Sequence, residues 1–484
     1  MEPRKFIEDI IRALIQLQQS PQPARSGNSK VYLPRMIGIG NGRQIIVSEE
    51  IDKLIADFAR QKMNTNTSLK THFSVSEFRK LVRAAFGLAL VKIDLADDIS
   101  KNVDSVLNDV DTAIDRDTTW ISTRGQREYA FGCTLFSFDD VAPFAIGPVR
   151  FEPRPIWLDR KASDGRSARI GSGGRIERFG HNIADGAISK IMKRRIIRAW
   201  QGQKLRTRKP SADSVFEQSV LEAIGKCPYV CSVKVSGLGD KAGEDKALLA
   251  ARLALTTISL NWEKPSAALN GLNLRFDREM RNQTLLSFTA DGIILGGGST
   301  SNMPHAPWVE RGELESHLQK FNANFTTAGE AIEWLLDPIG PHNRPKLQSI
   351  ITQAMLWFHD GCREIFGLKA IVSFASCMDI LASGGGRKSI CNLIRARLEI
   401  DEGAIIHRDG FTVKEVIDQI YGEGRVRFIH GPIQNGKHIW GDKLGHDWSE
   451  KRGLAEWLAR NCLVSCLGQA AEHLGDDSPD LFLK

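Results

Sequence analysis

Arg425 and His430 stand five positions apart in the stretch IYGEGRVRFIHG (420–431). The unperturbed pKa of a histidine side chain is about 6.5, so histidine can both take and give a proton near neutral pH. Arginine stays charged and presents a rigid fork of donors that fits phosphate oxygens. Together the two residue types suit cleavage of RNA without a metal ion. One group would activate the ribose 2′-hydroxyl, and the other would stabilise the charge that develops on the phosphorus.

The spacing of this pair constrains its geometry. On an ideal α-helix, five positions turn the chain so that the two side chains point about 140° apart. Arg425 and His430 therefore converge on one ligand only where the helix is broken or where the long arginine reaches around it. Two solvated polar residues on a turn, closed by Gly431 and Pro432, are the alternative interpretation.

The sequence around Arg425 and His430 predicts a bundle of helices. From residue 331 onward the apolar residues recur almost throughout with the period of an amphipathic helix. Thr412, followed by Glu415 three residues later, predicts a capping box at the start of the helix that leads to Arg425. The five predicted helical segments are 346–366, 369–383, 389–400, 412–424 and 449–474.

The C-terminal sequence, over residues 346–474, resembles the Apea-like branch of the HEPN domains. That branch has an R-x4-H motif with a tyrosine before the arginine and a glycine after the histidine. The segments FASCMDILAS (374–383) and LIRARLEI (393–400) also resemble its second and third helices. The motif positions that carry the resemblance are Tyr421, Arg425, His430 and Gly431.

Members of that family form helical bundles that dimerise, and many are metal-independent endoribonucleases of bacterial toxin or anti-phage systems. The resemblance implies that His430 is the acid–base residue, that Arg425 stabilises the phosphate and that Asp379 orients Arg425. It implies no cofactor, and it implies a homodimer formed through the C-terminal bundle. Val426 stands where the family commonly has a small polar residue. This difference keeps open a second interpretation, a non-catalytic dimerisation and RNA-binding module.

The segment KIMKRRIIRAWQGQKLRTRK (190–209) carries nine lysines and arginines and no acidic residue. Dense positive charge beside an aromatic side chain is the composition that follows a phosphate backbone and stacks a base. The segment therefore predicts a nucleic-acid-binding surface, with a solvated basic face as the alternative. The predicted contact residues are Lys190, Lys193, Arg194, Arg195, Arg198, Trp200, Lys204, Arg206, Arg208 and Lys209.

Upstream of the bundle the sequence predicts two further regions. Residues 1–115 are predicted to be mostly helical, and residues 116–330 are predicted to form an α+β domain that senses a trigger or places the substrate. The predicted fold class is therefore α+β and multi-domain, with the bundle at 331–484. The glycine-rich segments 164–174 and 295–300 are predicted loops. The predicted strands are 118–123, 129–138, 230–236, 284–288 and 292–295.

Composition narrows the class of protein. The chain has 484 residues, of which 42% are hydrophobic and 25% charged, as in ordinary globular proteins of several domains. No apolar run reaches the roughly 18 residues of a membrane span, so we expect a cytoplasmic protein. The motif and the basic segment predict RNA as a partner, and the family resemblance implies a phage-derived trigger. Cys227 with Cys231 and Cys462 with Cys466 would permit a four-thiolate zinc site. The apolar helical text around the second pair favours core cysteines instead, so we predict no metal.

Overall fold

Helices dominate the described part of the chain, and short strands interrupt them. The computed structural model describes residues 2–19, 35–40, 43–124, 126–138, 141–171, 177–178, 181–182, 187–277, 282–288, 294–301, 307, 309–310, 312–426 and 448–484. His430 lies outside these residues. The chain thus mixes helix with small sheets, as the sequence predicts, and it forms two compact units.

The two units alternate along the sequence. The first comprises Met1–Arg127, Val235–Ala247 and Leu336–Ile339. The second comprises Glu128–Lys234, Leu248–Leu335 and Gly340–Lys484.

Within Met1–Arg127, the described part of the first unit forms five helices and a hairpin. The amphipathic N-terminal stretch forms helix α1, which buries Phe6, Ile7 and Ile10, as its period predicts. The helices are α1 Pro3–Gln19, α2 Glu49–Thr65, α3 Thr67–His72, α4 Val75–Leu90 and α5 Ile99–Arg124. The strands β1 Arg35–Gly40 and β2 Arg43–Val47 pair antiparallel.

The Glu77 side chain caps the N-termini of two helices. Ser74 and Glu77 form a capping box at the start of α4. The Glu77 carboxylate also accepts from the backbone N–H groups of Lys241 and Ala242, in the first turn of α9 (Asp240–Ser259). Because a helix N-terminus favours negative charge, Glu77 stabilises the segment 235–247 against α4.

The second unit contains a five-stranded sheet in the order β4-β5-β8-β3-β9. Its strands are β3 Arg127–Thr134, β4 Phe144–Ile146, β5 Val149–Pro153, β8 Tyr229–Val235 and β9 Asn273–Leu274. Helices α6 Arg154–Gly171, α7 Lys190–Trp200 and α8 Ala212–Ile224 share an apolar cluster with β8. Helix α10 is Pro265–Leu269, and two hairpins complete the strands: β6 Glu177–Arg178 with β7 His181–Asn182, and β10 Asn282–Phe288 with β11 Ile294–Ser301.

The predictions for 230–236 and 284–288 are confirmed by β8 and β10, and β3 covers most of 129–138. Three others are wrong. Residues 118–123 belong to helix α5, residues 164–171 continue helix α6, and residues 295–300 lie in strand β11. In each case a longer element includes a short segment whose composition alone favours another structure.

The C-terminal part of the chain is helical. Its elements are α11 Leu314–Lys320, α12 Asn322–Leu336, α13 Pro345–Arg363, α14 Gly367–Leu381, α15 Gly386–Leu398, α16 Val413–Ile417, the π-helix Asp418–Val426 and α17 Ser449–Glu472. Helix α14 buries most of its length and packs against α13, α15, α17 and the π-helix. Thr412 and Glu415 form the predicted capping box at the start of α16.

Among the described helices, none alone is both long and apolar enough to cross a membrane. Helices α14 and α15 meet the length and composition criteria only as a pair, with a bend of 72° between them. All eight cysteines are buried and free. Burial raises the pKa of Cys462 to about 12, so its thiol is protonated at neutral pH, as expected of a core cysteine.

Candidate active site

Asp379 lies near the end of α14 and holds the turn into α15. Its Oδ1 accepts from the backbone N–H of Gly386 at 3.0 Å, and its backbone carbonyl accepts from Gly384 N at 2.8 Å. The turn requires positive φ values of +78° at Gly384 and +70° at Gly386, which glycine adopts without strain. The side chain of Asp379 is only 10% exposed. The turn therefore fixes one carboxylate oxygen and leaves Oδ2 for another partner.

That partner is Arg425, which the π-helix presents to α14. The chain widens from the α-helical α16 into the π-helix Asp418–Val426, and Arg425 lies near its end. Arg425 Nη1 donates to Asp379 Oδ2 at 2.8 Å and to the Tyr421 hydroxyl at 2.6 Å, while Nε donates to Ser376 Oγ at 3.2 Å. π-helical turns are rare in proteins and occur frequently at functional sites.

Tyr421 contributes both its hydroxyl and its ring. The guanidinium carbon of Arg425 lies 4.9 Å from the centroid of the Tyr421 ring, in a cation–π contact. The hydroxyl that accepts from Arg425 donates weakly to Asp379 Oδ2 at 3.5 Å. Ser376 Oγ in turn donates to the Val372 carbonyl at 2.8 Å, which fixes the orientation of its lone pairs. We call these four residues, Ser376, Asp379, Tyr421 and Arg425, the Arg425 site.

The contacts with described residues occupy only part of the Arg425 guanidinium. Nε and Nη1 use three of the five N–H groups of Arg425, and no described residue accepts from Nη2. The side chain of Arg425 is 26% exposed, so the group is half-buried and still reaches solvent. A fixed guanidinium with free N–H groups can receive an oxyanion with little loss of side-chain entropy on binding.

The structure thus brings together two of the three predicted catalytic residues, Arg425 and Asp379. His430 lies outside the described residues, so its position relative to them is not part of the described geometry. The contact through Ser376 was missed from the sequence. Its signal is the spacing: Ser376 precedes Asp379 by three residues on a predicted helix, and residues three apart share a helix face.

The predicted nucleic-acid-binding segment forms helix α7 and the extended stretch after it. Met192 and Ile196 face the apolar cluster, whereas Lys190, Arg194 and Arg198 are exposed. These three cations recur every four residues, so they form one stripe, which we call the α7 basic face. The exposed cations of the following stretch are Lys204, Arg206 and Lys209. No described residue forms an ion pair with any of these six side chains.

The other predicted contact residues of this segment have partners within the protein. Arg195 donates to the buried Glu217 at 2.9 Å, and Arg208 Nη2 lies 3.4 Å from the same carboxylate. Lys193 pairs with Asp159 at 2.5 Å. The guanidinium of Arg154 lies 5.1 Å from the Trp200 ring centroid and covers one of its faces. Lys193, Arg195, Arg208 and Trp200 therefore hold α7 and the stretch after it in place.

One group of side chains in the described part of the chain has the types and proximity of metal ligands: His407, Asp409 and Glu450. Asp409 approaches His407 Nδ1 at 3.6 Å, whereas Glu450 approaches Nε2 at 3.3 Å. Because the two carboxylates lie at opposite ring nitrogens and Arg408 already pairs with Glu450 at 2.7 Å, the arrangement is that of a surface ion-pair cluster.

Comparison with known proteins adds no assignment to this geometry. Neither a family model, nor a curated protein, nor a solved structure matches the chain.

Proposed function

We propose that this protein is a metal-independent endoribonuclease whose reaction centre includes Arg425 and His430. The observation that carries the proposal is the arrangement of Arg425. Ser376, Asp379 and Tyr421 fix its guanidinium, and the Nη2 edge has no described acceptor. A guanidinium prepared in this way is suited to a phosphate whose negative charge increases during reaction.

The proposed reaction is an internal transfer at one phosphodiester. A ribose 2′-hydroxyl loses its proton to His430, and its oxygen forms a new bond to the adjacent phosphorus. The bond from phosphorus to the 5′-oxygen breaks, that oxygen takes a proton from solvent water, and protonated His430 returns its proton to the solvent. The products are a 2′,3′-cyclic phosphate and a 5′-hydroxyl end. Arg425 stabilises the charge on the non-bridging oxygens, and general acid–base catalysis by a positioned side chain contributes typically about 10²–10⁴-fold.

The proposed setting follows from the resemblance to the HEPN domains. Two copies of the chain would pair through the C-terminal helices and bring two R-x4-H motifs into one cleft. The enzyme would act in the bacterial cytoplasm as the effector of an anti-phage, toxin-like defence system. The remaining part of the chain would hold it in check until a phage-derived trigger arrives.

RNA would be placed by the α7 basic face together with Lys204, Arg206 and Lys209. These six cations have no described ion-pair partner, so their charge is available to phosphates. We assign no RNA contact to Lys193, Arg195, Arg208 or Trp200, because other residues of the protein already engage them.

The test uses purified full-length protein, total bacterial RNA and EDTA, with analysis of the fragment ends. Wild-type protein should leave 2′,3′-cyclic phosphates, whereas Arg425→Ala and His430→Ala should leave the RNA intact. Arg408→Ala is the matched control, because Arg408 is 77% exposed in its pair with Glu450, so its removal should preserve cleavage.

If the purified protein cleaves no RNA because it needs a trigger, the same variants are tested in cells during phage challenge. RNA cleavage that depends on Arg425 and His430 supports the enzyme. If protection persists in His430→Ala cells while their RNA survives, the chain is instead a non-catalytic dimerisation and RNA-binding module. The observation that favours this second function is that Arg425 already forms a half-buried ion pair with Asp379, as a structural arginine would.

A further inference from the structure

Three arginines of the first unit converge on one carboxylate. Asp52, on α2, is 7% exposed. Arg83 Nε donates to its Oδ1 at 2.7 Å, and Arg35 Nη1 donates to its Oδ2 at 3.0 Å. Arg79 Nη2 approaches the same Oδ2 at 3.4 Å. Arg79 and Arg83 lie one turn apart on α4, and Arg35 begins β1. We call these residues the Asp52 arginine cluster.

This cluster has more positive charge than a buried aspartate needs. One hydrogen-bonded arginine is enough to balance a carboxylate, and among the described residues the only other acidic partner of the three arginines is Glu49, which pairs with Arg35 at 3.0 Å. Three guanidiniums therefore face two carboxylates among the described residues. The arginine side chains are 30 to 49% exposed, so the unbalanced charge reaches solvent.

Arg79 and Arg83 each use only one N–H donor toward the described residues. Arg83 donates to Asp52 through Nε, and Arg79 donates to it through Nη2. No described residue accepts a hydrogen bond from the remaining N–H groups of either side chain. Guanidinium forks with unused parallel donors bind phosphate oxygens in pairs. Asp52 acts as a fixed anchor that keeps these like-charged groups side by side in the absence of a ligand.

The shape of the cluster favours a single phosphate group over a polymer. All three guanidiniums contact one carboxylate, so their charge is concentrated around one point. The α7 basic face differs, because its three cations extend over about 12 Å of helix, as suits a strand of linked phosphates. We propose that the Asp52 arginine cluster binds the phosphate of a small phosphorylated ligand. This inference does not depend on the proposed RNA cleavage.

The test measures binding of inorganic pyrophosphate to the full-length protein by calorimetry, at an ionic strength held constant with sodium chloride. Arg79→Ala should weaken binding about tenfold or more, since a hydrogen bond to a charged group is worth roughly that factor. Arg79 makes the longest contact with Asp52, so its removal should disturb folding least. Arg60→Ala on α2 is the control, because Arg60 is 71% exposed and pairs only loosely with Asp57, at 3.3 Å.

A second variant changes binding in the opposite direction. Glu49→Gln removes the carboxylate that competes for Arg35, so pyrophosphate should bind about two- to fivefold more tightly, the range of one exposed ion pair. A purely structural cluster would show no such gain. The proposal is overturned if wild-type protein binds pyrophosphate no better than chloride, or if Arg60→Ala weakens binding as much as Arg79→Ala. Equal competition by an RNA oligonucleotide without a terminal phosphate would instead indicate a polymer-binding surface.

Discussion

Tyr421 holds the guanidinium of Arg425 in two ways. Its hydroxyl accepts from Arg425 Nη1 at 2.6 Å, and its ring centroid lies 4.9 Å from the guanidinium carbon. The hydroxyl fixes the rotation of the guanidinium plane, while the ring offers an electron-rich face to the positive charge. The two contributions can be separated, because substitution by phenylalanine removes only the hydroxyl.

Tyr421→Phe should therefore reduce RNA cleavage by about tenfold, the value of one hydrogen bond to a charged group, while Arg425→Ala abolishes it. The measurement is the initial rate of cleavage at saturating RNA. Tyr229→Phe is the matched control: its hydroxyl donates to the Phe138 carbonyl, away from the Arg425 site. That variant should lose stability and keep its rate. Equal rates for Tyr421→Phe and wild type would contradict the assigned role.

Ser376 and Ser373 provide a matched pair on α14. Both hydroxyls donate to the carbonyl four residues earlier, but only Ser376 Oγ also accepts from Arg425. Ser376→Ala should slow cleavage several-fold because Arg425 Nε loses its acceptor, whereas Ser373→Ala should not. The free energy of unfolding should change little in either variant, which a denaturant titration measures. A similar rate loss in both variants would point to a general effect on the helix.

We expect Arg195 to contribute to stability and its neighbour Arg194, also on α7, to contribute to RNA binding. Among the described residues, Arg195→Ala leaves the buried Glu217 with the single 3.4 Å contact to Arg208, so the free energy of unfolding should fall by about 1–3 kcal/mol. Arg194→Ala should leave stability within about 0.5 kcal/mol. It should instead reduce the slope of log affinity against log salt by about 0.7 for single-stranded RNA. Unchanged salt slopes in Arg194→Ala would remove the α7 basic face as an RNA-binding surface.

His359 should make the second unit sensitive to acid. Burial, together with the nearby Arg363 and Arg252, lowers the pKa of His359 to about 3, and Thr256 Oγ1 lies 2.8 Å from its Nδ1. Between pH 6.5 and 3 the unfolded chain binds a proton that the folded chain does not, so the free energy of unfolding decreases as pH falls. The slope from this group approaches about 1.4 kcal/mol per pH unit.

Unfolding titrations at pH 7 and 5.5 measure this slope above the range in which most carboxylates titrate. His359→Gln should flatten it, since glutamine does not titrate. Identical slopes for wild type and His359→Gln would show that His359 is not the source.

The helical period was the most informative signal in the sequence, and local composition was the least. Residues 118–123 are rich in β-branched side chains, yet they are helical. Val103, Val106, Val110 and Ile114 are buried at helical spacing along α5, and Ile121 continues the same stripe. Burial of that stripe outweighs the weak strand propensity of one short run.

Glycine content misled the prediction at 295–300 for a related reason. Gly296, Gly297 and Gly298 pair with Ser287, Leu286 and Leu285 in the β10–β11 hairpin. The ladder of backbone hydrogen bonds does not depend on side chains, so a glycine-rich segment can extend a strand once a partner is aligned with it. Helix α6, which Trp157 and Leu158 anchor in the core at its first turns, likewise continues through the glycine-containing segment to Gly171.

The candidate site was predictable in part. The residue types indicated Arg425, the family resemblance added Asp379, and the structure places the two side chains 2.8 Å apart. The π-helix was not predictable, because its wider turn has no composition of its own, and the four-residue spacing of Tyr421 and Arg425 also fits an α-helix. Nor could charge density separate the exposed Arg194 from the paired Arg195, since burial and partners depend on the tertiary fold.

The capping of α9 by Glu77 has a consequence for synthesis on the ribosome. The backbone N–H groups that Glu77 caps belong to Lys241 and Ala242, which are made long after Arg127 has left the peptidyl-transferase centre. At about 5–20 residues per second, roughly 6 to 23 s pass between the synthesis of residues 127 and 242. During this interval the Glu77 carboxylate cannot form its contacts with α9. Chaperone binding to ribosome-bound chains should therefore persist until residues 241 and 242 emerge.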